Sequence, residues 1–130
     1  MFKKEQAMDN KLVQFQNQQY INVETFRKNG QGVQTPVWFV EDKGTLYVRT
    51  GDVSAKVKRI RNNPRVRVMP CDMRGWPKGE WVEGQARFAT ADEDKRVGQL
   101  LTKKYGLQKT LFEVMSKLQG HKYTVFAINV

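Results

Sequence analysis

The chain has 130 residues, 39% of them hydrophobic, with seven Phe, four Tyr and three Trp, which supports one domain with a real core and excludes a disordered chain or two ordinary domains. No apolar run approaches the roughly 18–20 residues of a membrane span, Met1-Phe2-Lys3-Lys4-Glu5 lacks the apolar centre of a secretion signal, and a single cysteine, Cys71, allows no intrachain disulfide, so a cytoplasmic location is expected. The net charge of +10 favours anions without choosing among nucleic acid, phosphate esters, acidic lipids and carboxylates.

Residues 1–19 read as an N-terminal helical segment, with Met8, Leu12, Phe15 and Gln19 on one side at helical spacing. Residues 20–130 form the domain proper. Tyr20 to Arg27 reads as a strand with apolar residues on both faces, and Lys28-Asn29-Gly30 as a hairpin turn, because Asn-Gly tolerates positive φ. The next strand, about Val33 to Glu41, carries Pro36, which places it at an edge or forces a bulge that frees backbone groups. Gly44 closes a second hairpin into Thr45–Thr50. After the turn Gly51-Asp52-Val53, Ser54 is suited to N-cap a short helix, about Ala55 to Asn62, which Asn63-Pro64 ends.

Val66 and Val68 alternate with Arg65 and Arg67 in a fourth strand that ends near Cys71. A loop follows with Trp76 at its tip. In the fifth strand, Trp81 to Thr90, Val82, Gly84, Ala86 and Phe88 share one face. Thr90 and Glu93 form a capping box for a helix with Val97, Leu100, Leu101 and Tyr105 on one stripe, stopped by Gly106. Thr110 and Glu113 repeat the box for a helix ended by Gly120, and Tyr123 to Val130 closes the sheet. Six strands joined mostly by hairpins, with helices between them, predict a small antiparallel barrel with helices packed outside.

Two features suit a flat molecule with an acidic tail. The strands Thr35–Val40 and Leu46–Thr50 make a platform, and the helix start carrying Ser54 and Lys56 makes an anion seat, since free N–H groups and the helix dipole favour phosphate. Arg49 and Thr50 end the strand that feeds this turn and are placed to join it. The same residues also suit an ordinary N-cap on a solvated basic helix. Six basic residues, Lys56, Lys58, Arg59, Arg61, Arg65 and Arg67, fall between positions 56 and 67; they suit a nucleic-acid backbone, with Trp38, Tyr47 and Trp81 as bases' stacking partners. No side chain is a convincing acid, base or nucleophile. His121 follows a helix end, Cys71 has no histidine near it in sequence, and Asp92, Glu93 and Asp94 match a helix dipole. If the chain is an enzyme, a cofactor carries the reaction.

Thr35-Pro36-Val37-Trp38-Phe39-Val40, Leu46-Tyr47-Val48-Arg49-Thr50, the run Ser54 to Val66 and Trp81-Val82-Glu83-Gly84-Gln85-Ala86 together resemble the pyridoxamine 5'-phosphate oxidase-like split-barrel flavoproteins, nearest to the PPOX-class deazaflavin (coenzyme F-420)-dependent oxidoreductases. The similarity runs from about Tyr20 to Val130, and the order and spacing of the pieces carry it. It implies a mainly β fold, a six-stranded antiparallel split β-barrel with peripheral helices that forms a homodimer with cofactor grooves between subunits. It implies that the ring lies along Thr35, Pro36, Val37 and Trp38 and that the phosphate sits near Arg49, Thr50, Ser54, Ala55 and Lys56. Residues of the partner subunit close the groove; the loop around Trp76 and the strand at Trp81 are candidates. Either FMN or coenzyme F-420 satisfies the same seat. The expected function is hydride transfer to or from a small organic substrate; a carrier or sensor of flavin, deazaflavin or haem is the alternative. A nucleic-acid-binding barrel ranks third, because it ignores the ordered strand–turn–helix pattern.

Overall fold

The structure is a computed structural model that describes residues 11–106, Gln108 and 122–130. Among the described residues seven strands and two full helices follow one another as β1 (Tyr20–Phe26), β2 (Gly32–Trp38), β3 (Val40–Asp42), β4 (Thr45–Gly51), α1 (Ala55–Asn62), β5 (Arg65–Cys71), β6 (Val82–Phe88), α2 (Ala91–Tyr105) and β7 (Tyr123–Asn129). They form one antiparallel sheet in the order β2-β1-β5-β6-β7-β4-β3. Met8, the second capping box at Thr110 and Glu113, Gly120 and His121 lie outside the described residues.

The run from Gly32 to Asp42 occupies both ends of this order. Its first half pairs with β1 and its second half with β4, so the sheet curls until its ends meet, with β2 against β4. That closure makes a barrel and raises the expected six strands to seven. The break falls at Phe39, whose ring is buried in the core. Its backbone groups are taken out of the ladder: the N–H donates to Tyr105 Oη at 3.0 Å, and the carbonyl accepts from Lys104 Nζ at 2.8 Å and lies 2.9 Å from Tyr105 Oη. The bulge expected at Pro36 does not occur. Pro36 stands opposite Asn22 in unbroken register; β2 has one ladder neighbour, and an end strand tolerates the missing donor.

Strand alternation sorts the apolar residues into two layers. Leu46 and Val48 of β4 and Phe126 and Ile128 of β7 point inward with Ile21, Val23, Val66, Val68 and Ala86, and Leu12, Phe15, Phe39 and Ile60 complete this core. Tyr47, Val125 and Ala127 point outward under Val97, Leu101 and Tyr105 of α2. The sequence expectation for β6 holds, with Gly84 and Ala86 buried and Glu83, Gln85 and Arg87 exposed. Gly84 permits close approach of β7: a Cβ there would lie 2.9 Å from Ile128 Cγ2 and 3.0 Å from the Asn129 carbonyl.

The turns follow their local chemistry. Gly30 and Gly44 take φ of 88° and 85°, and the Gly30 N–H donates to the Arg27 carbonyl at 2.9 Å. Thr90 and Glu93 form the reciprocal capping box, and Gly106 ends α2 with φ of 56°. Of the N-terminal segment, residues 11–13 are helical and turns follow, delivering Leu12 and Phe15 to the core.

Candidate functional site

The turn between β4 and α1 is built around Ser54. Its N–H donates to the Gly51 carbonyl at 3.1 Å, and its Oγ lies 3.4 Å from both the Val57 N–H and Thr50 Oγ1. Ser54 is therefore the N-cap expected from the sequence. Val57 and Ile60 anchor α1 to the barrel, which fixes Ala55 and Lys56 at its mouth. Ala55 is exposed and Lys56 half-buried.

Lys56 is an electrostatic anomaly. Burial lowers its pKa, and the neighbouring Arg59 lowers it further. Among the described residues it has no carboxylate partner, and the first turn of α1 carries no acid. Arg59 is itself lowered by burial and by Arg27, with its Nε donating to Thr25 Oγ1 at 2.6 Å. The mouth thus combines a hydroxyl, helix-start N–H groups and an ammonium with no anion of its own. This donor set fits a phosphate.

Arg49 goes elsewhere. Adjacent strand residues face opposite sides, and while Thr50 turns toward Ser54, Arg49 runs under α2, where its guanidinium stands 3.5 Å from Asp94. Gly98 leaves it room: a Cβ there would lie 2.9 Å from the guanidinium. Thr35, Pro36, Val37 and Trp38 are half-buried along β2, so the expected platform is not sealed inside the fold. Val37 packs on the inner core, and Trp38 stacks on Tyr105 with ring centres 4.3 Å apart.

Most of the basic run is engaged. Arg61 lies over Phe88, Arg65 pairs with Glu83 at 2.8 Å and covers Phe26, and Arg67 pairs with buried Glu24 at 2.7 Å and covers Trp81. The rings suggested as base platforms are occupied too: Trp38 by Tyr105, Trp81 by Arg67, and Tyr47 is buried with its hydroxyl on Glu93 at 2.7 Å. Cys71 is buried and its thiol pKa is pushed up to about 11, chiefly by that burial, which makes it an unreactive thiol. Among the described residues no cluster of His, Cys, Asp and Glu could hold a metal ion, and no helix is long and apolar enough to cross a membrane.

Sequence reasoning missed Asp94 as the partner of Arg49, and it missed Lys104, which reaches Phe39 across 65 positions. Neither contact has a local signal; both require the fold.

A curled antiparallel sheet with helices packed outside it defines the class of split-barrel proteins. The chain belongs to the family described as pyridoxamine 5'-phosphate oxidase, which it matches over residues 8–130. No curated protein matches it. Among solved structures it is similar to the haem storage protein HutZ of Vibrio cholerae, with 15% identity over 94% of this chain and 89% of that one and a TM-score of 0.69. An FAD-binding protein of Mesorhizobium loti is 18% identical over 96% of this chain and 87% of that one, with a TM-score of 0.63. A haem-binding protein of Mycobacterium smegmatis is 12% identical over 95% and 51%, with a TM-score of 0.70. At these identities the likeness is one of fold.

Proposed function

We propose that the chain is a flavin- or deazaflavin-dependent oxidoreductase that moves a hydride to or from a small organic molecule in a groove between two copies of itself. The uncompensated cation at the α1 mouth carries this reading. A half-buried Lys56 with no acidic partner among the described residues, two positions past the Ser54 N-cap that meets Thr50, is what a phosphate-bearing ligand would complete. FMN and coenzyme F-420 both bring such a phosphate. Supporting a homodimer, Val53 and Tyr123 are large exposed apolar residues next to the seat, and Met73 and Trp76 crown the 72–80 loop.

When bound, the ring supplies the redox chemistry, and the protein binds, orients and shields. In this reading Ser54 and the helix-start N–H groups hold the phosphate, and Lys56 neutralises it. The outer edge of β2 at Thr35–Val37, which has no ladder neighbour on that side among the described residues, offers backbone groups to the polar edge of the ring, with Trp38 beside it. Arg49, tied to Asp94, keeps the β4 end in place against α2. Mass spectrometry of the small molecule that co-purifies, followed by titration with FMN and F-420, tests the reading. A protein that carries and binds neither contradicts it.

A carrier of haem or flavin on the same barrel is the second reading. The fold it shares with the haem storage protein and the haem-binding protein favours it. Bound cofactor that reduces no enone, quinone or tetrapyrrole acceptor would select it over the enzyme.

A further inference from the structure

Arg49, Arg65, Arg67, Arg87 and Arg96 each meet a carboxylate. Arg59 does not. Its Nε donates to the hydroxyl of fully buried Thr25 at 2.6 Å, which pins the half-buried side chain at the end of β1. A guanidinium has five donors, and among the described residues no group accepts from the two terminal nitrogens of Arg59.

Two more cations flank it. Lys56 precedes Arg59 by three positions on α1, which makes them neighbours on one face, with roughly 5–6 Å between Cβ atoms. Arg27 follows Thr25 by two positions, on the same side and roughly 7 Å further on, because the Arg27 N–H still bonds across the hairpin to the Gln31 carbonyl at 2.9 Å. The electrostatics agree with this order: after burial, Arg59 is what lowers the Lys56 pKa, and Arg27 is what lowers that of Arg59.

A solvated basic face accounts for Lys58, which is exposed. It does not account for a guanidinium tied to a buried hydroxyl, which cannot turn away from its neighbours. Like charges at this spacing oppose folding, and an anion shared along the row removes the repulsion. We propose that the row Lys56–Arg59–Arg27 binds a second anionic group of the ligand whose phosphate sits at the α1 mouth, held by the terminal nitrogens of Arg59 and by Arg27. This rests on the reading of that mouth as a phosphate seat and adds a requirement to it. The ligand is a diphosphate, or a phosphate ester with a further acid a few bonds away, and a planar guanidinium takes two oxygens of either. FMN, with one phosphate, fills only the first position.

The test is isothermal titration of the full chain with inorganic phosphate, pyrophosphate and phosphonoacetate as probes. Pyrophosphate or phosphonoacetate binds the wild type at least tenfold more tightly than phosphate, and the tighter of the two identifies the second group as phosphate or carboxylate. Arg59→Gln removes most of that preference and Arg27→Gln at least half of it. Lys56→Ala weakens all three probes, and Lys58→Gln, an equal loss of charge on the same helix, leaves the preference unchanged. Should Arg59→Gln fail to fold, the exposed Arg27→Gln decides. Equal binding of all three probes, a preference that survives both arginine substitutions, or an equal loss in Lys58→Gln, the mark of a general positive field, overturns the proposal. FMN separates the row from the seat. FMN binding that falls in Lys56→Ala, without any preference for a second anion, keeps the seat and overturns the row. A preference that depends on Arg59 in a chain that binds no FMN keeps the row and overturns the cofactor reading.

Discussion

The two helices begin in opposite electrostatic states. α2 starts with Asp92, Glu93 and Asp94. Glu93 closes the capping box, accepts both terminal nitrogens of Arg87 at 2.7 and 2.8 Å and receives the Tyr47 hydroxyl, while Asp94 meets Arg49. Its dipole is matched, and Glu93 and Asp94 each have a partner. α1 starts with a capping serine and a lysine, with no acid in the turn and a second cation at Arg59. The α2 start is balanced within the chain, whereas the α1 start is left positive. The difference separates a helix start whose acids are paired within the fold from one that, in the proposed reading, a ligand completes.

The largest expected effect breaks the open end. Lys56→Glu should abolish detectable binding of FMN, and Lys56→Ala should weaken it by about 1–3 kcal/mol, roughly ten- to a hundredfold, as for a charge-assisted hydrogen bond. Fluorescence titration measures both. The Lys56→Ala protein without cofactor should unfold at the same urea concentration as the wild type or slightly higher, because the half-buried ammonium is uncompensated in the fold.

The closed end should respond the other way. Glu93→Gln should leave cofactor affinity unchanged and lower stability by about 1–2 kcal/mol, the range of a lost cap, as read by urea unfolding. The pH dependence has a definite sign. Arg87 first, then the Thr90 N–H and the Tyr47 hydroxyl, hold the Glu93 carboxyl well below the usual carboxylate range. Its contribution is therefore full above the unfolded-state value of about 4.3 and declines as pH falls below it. The gap between wild type and Glu93→Gln should shrink between neutral pH and pH 3.

Lys104 gives a smaller effect of opposite sign. Its folded pKa is lowered to about 8 from 10.5, so folding releases a proton between those values and the charged amine disfavours the fold below them. Wild type should gain stability relative to Lys104→Met as pH rises from 8 to 10.5, seen as converging or crossing melting curves. Smallest is Gly98→Ala. The added methyl meets only the tip of the flexible Arg49 side chain, and the helix gains up to about 1 kcal/mol from losing a glycine. Net stability should change little, and the Arg49–Asp94 pair should loosen.

Much of the fold was legible where its cause is local. Asn29-Gly30, Gly44, the Thr90–Glu93 box and the alternation of β6 each act within a few residues, and each appears as expected. The turn into α1 was legible for the same reason, since Ser54 caps the helix and meets Thr50 within a few residues. The strand break at Phe39 was not, because Tyr105 and Lys104, far along the chain, cause it. Arg49 is a different case: placed beside Thr50 by the sequence, it stands in the fold 3.5 Å from Asp94, because two-residue alternation sends strand neighbours to opposite faces.

The most direct test of the open helix mouth compares FMN with riboflavin, which lacks the phosphate, on wild type and Lys56→Ala. The account predicts that wild type prefers FMN at least tenfold and that Lys56→Ala loses most of this preference while its affinity for riboflavin stays unchanged. Equal binding of FMN and riboflavin by the wild type, or a preference that survives in Lys56→Ala, would contradict it.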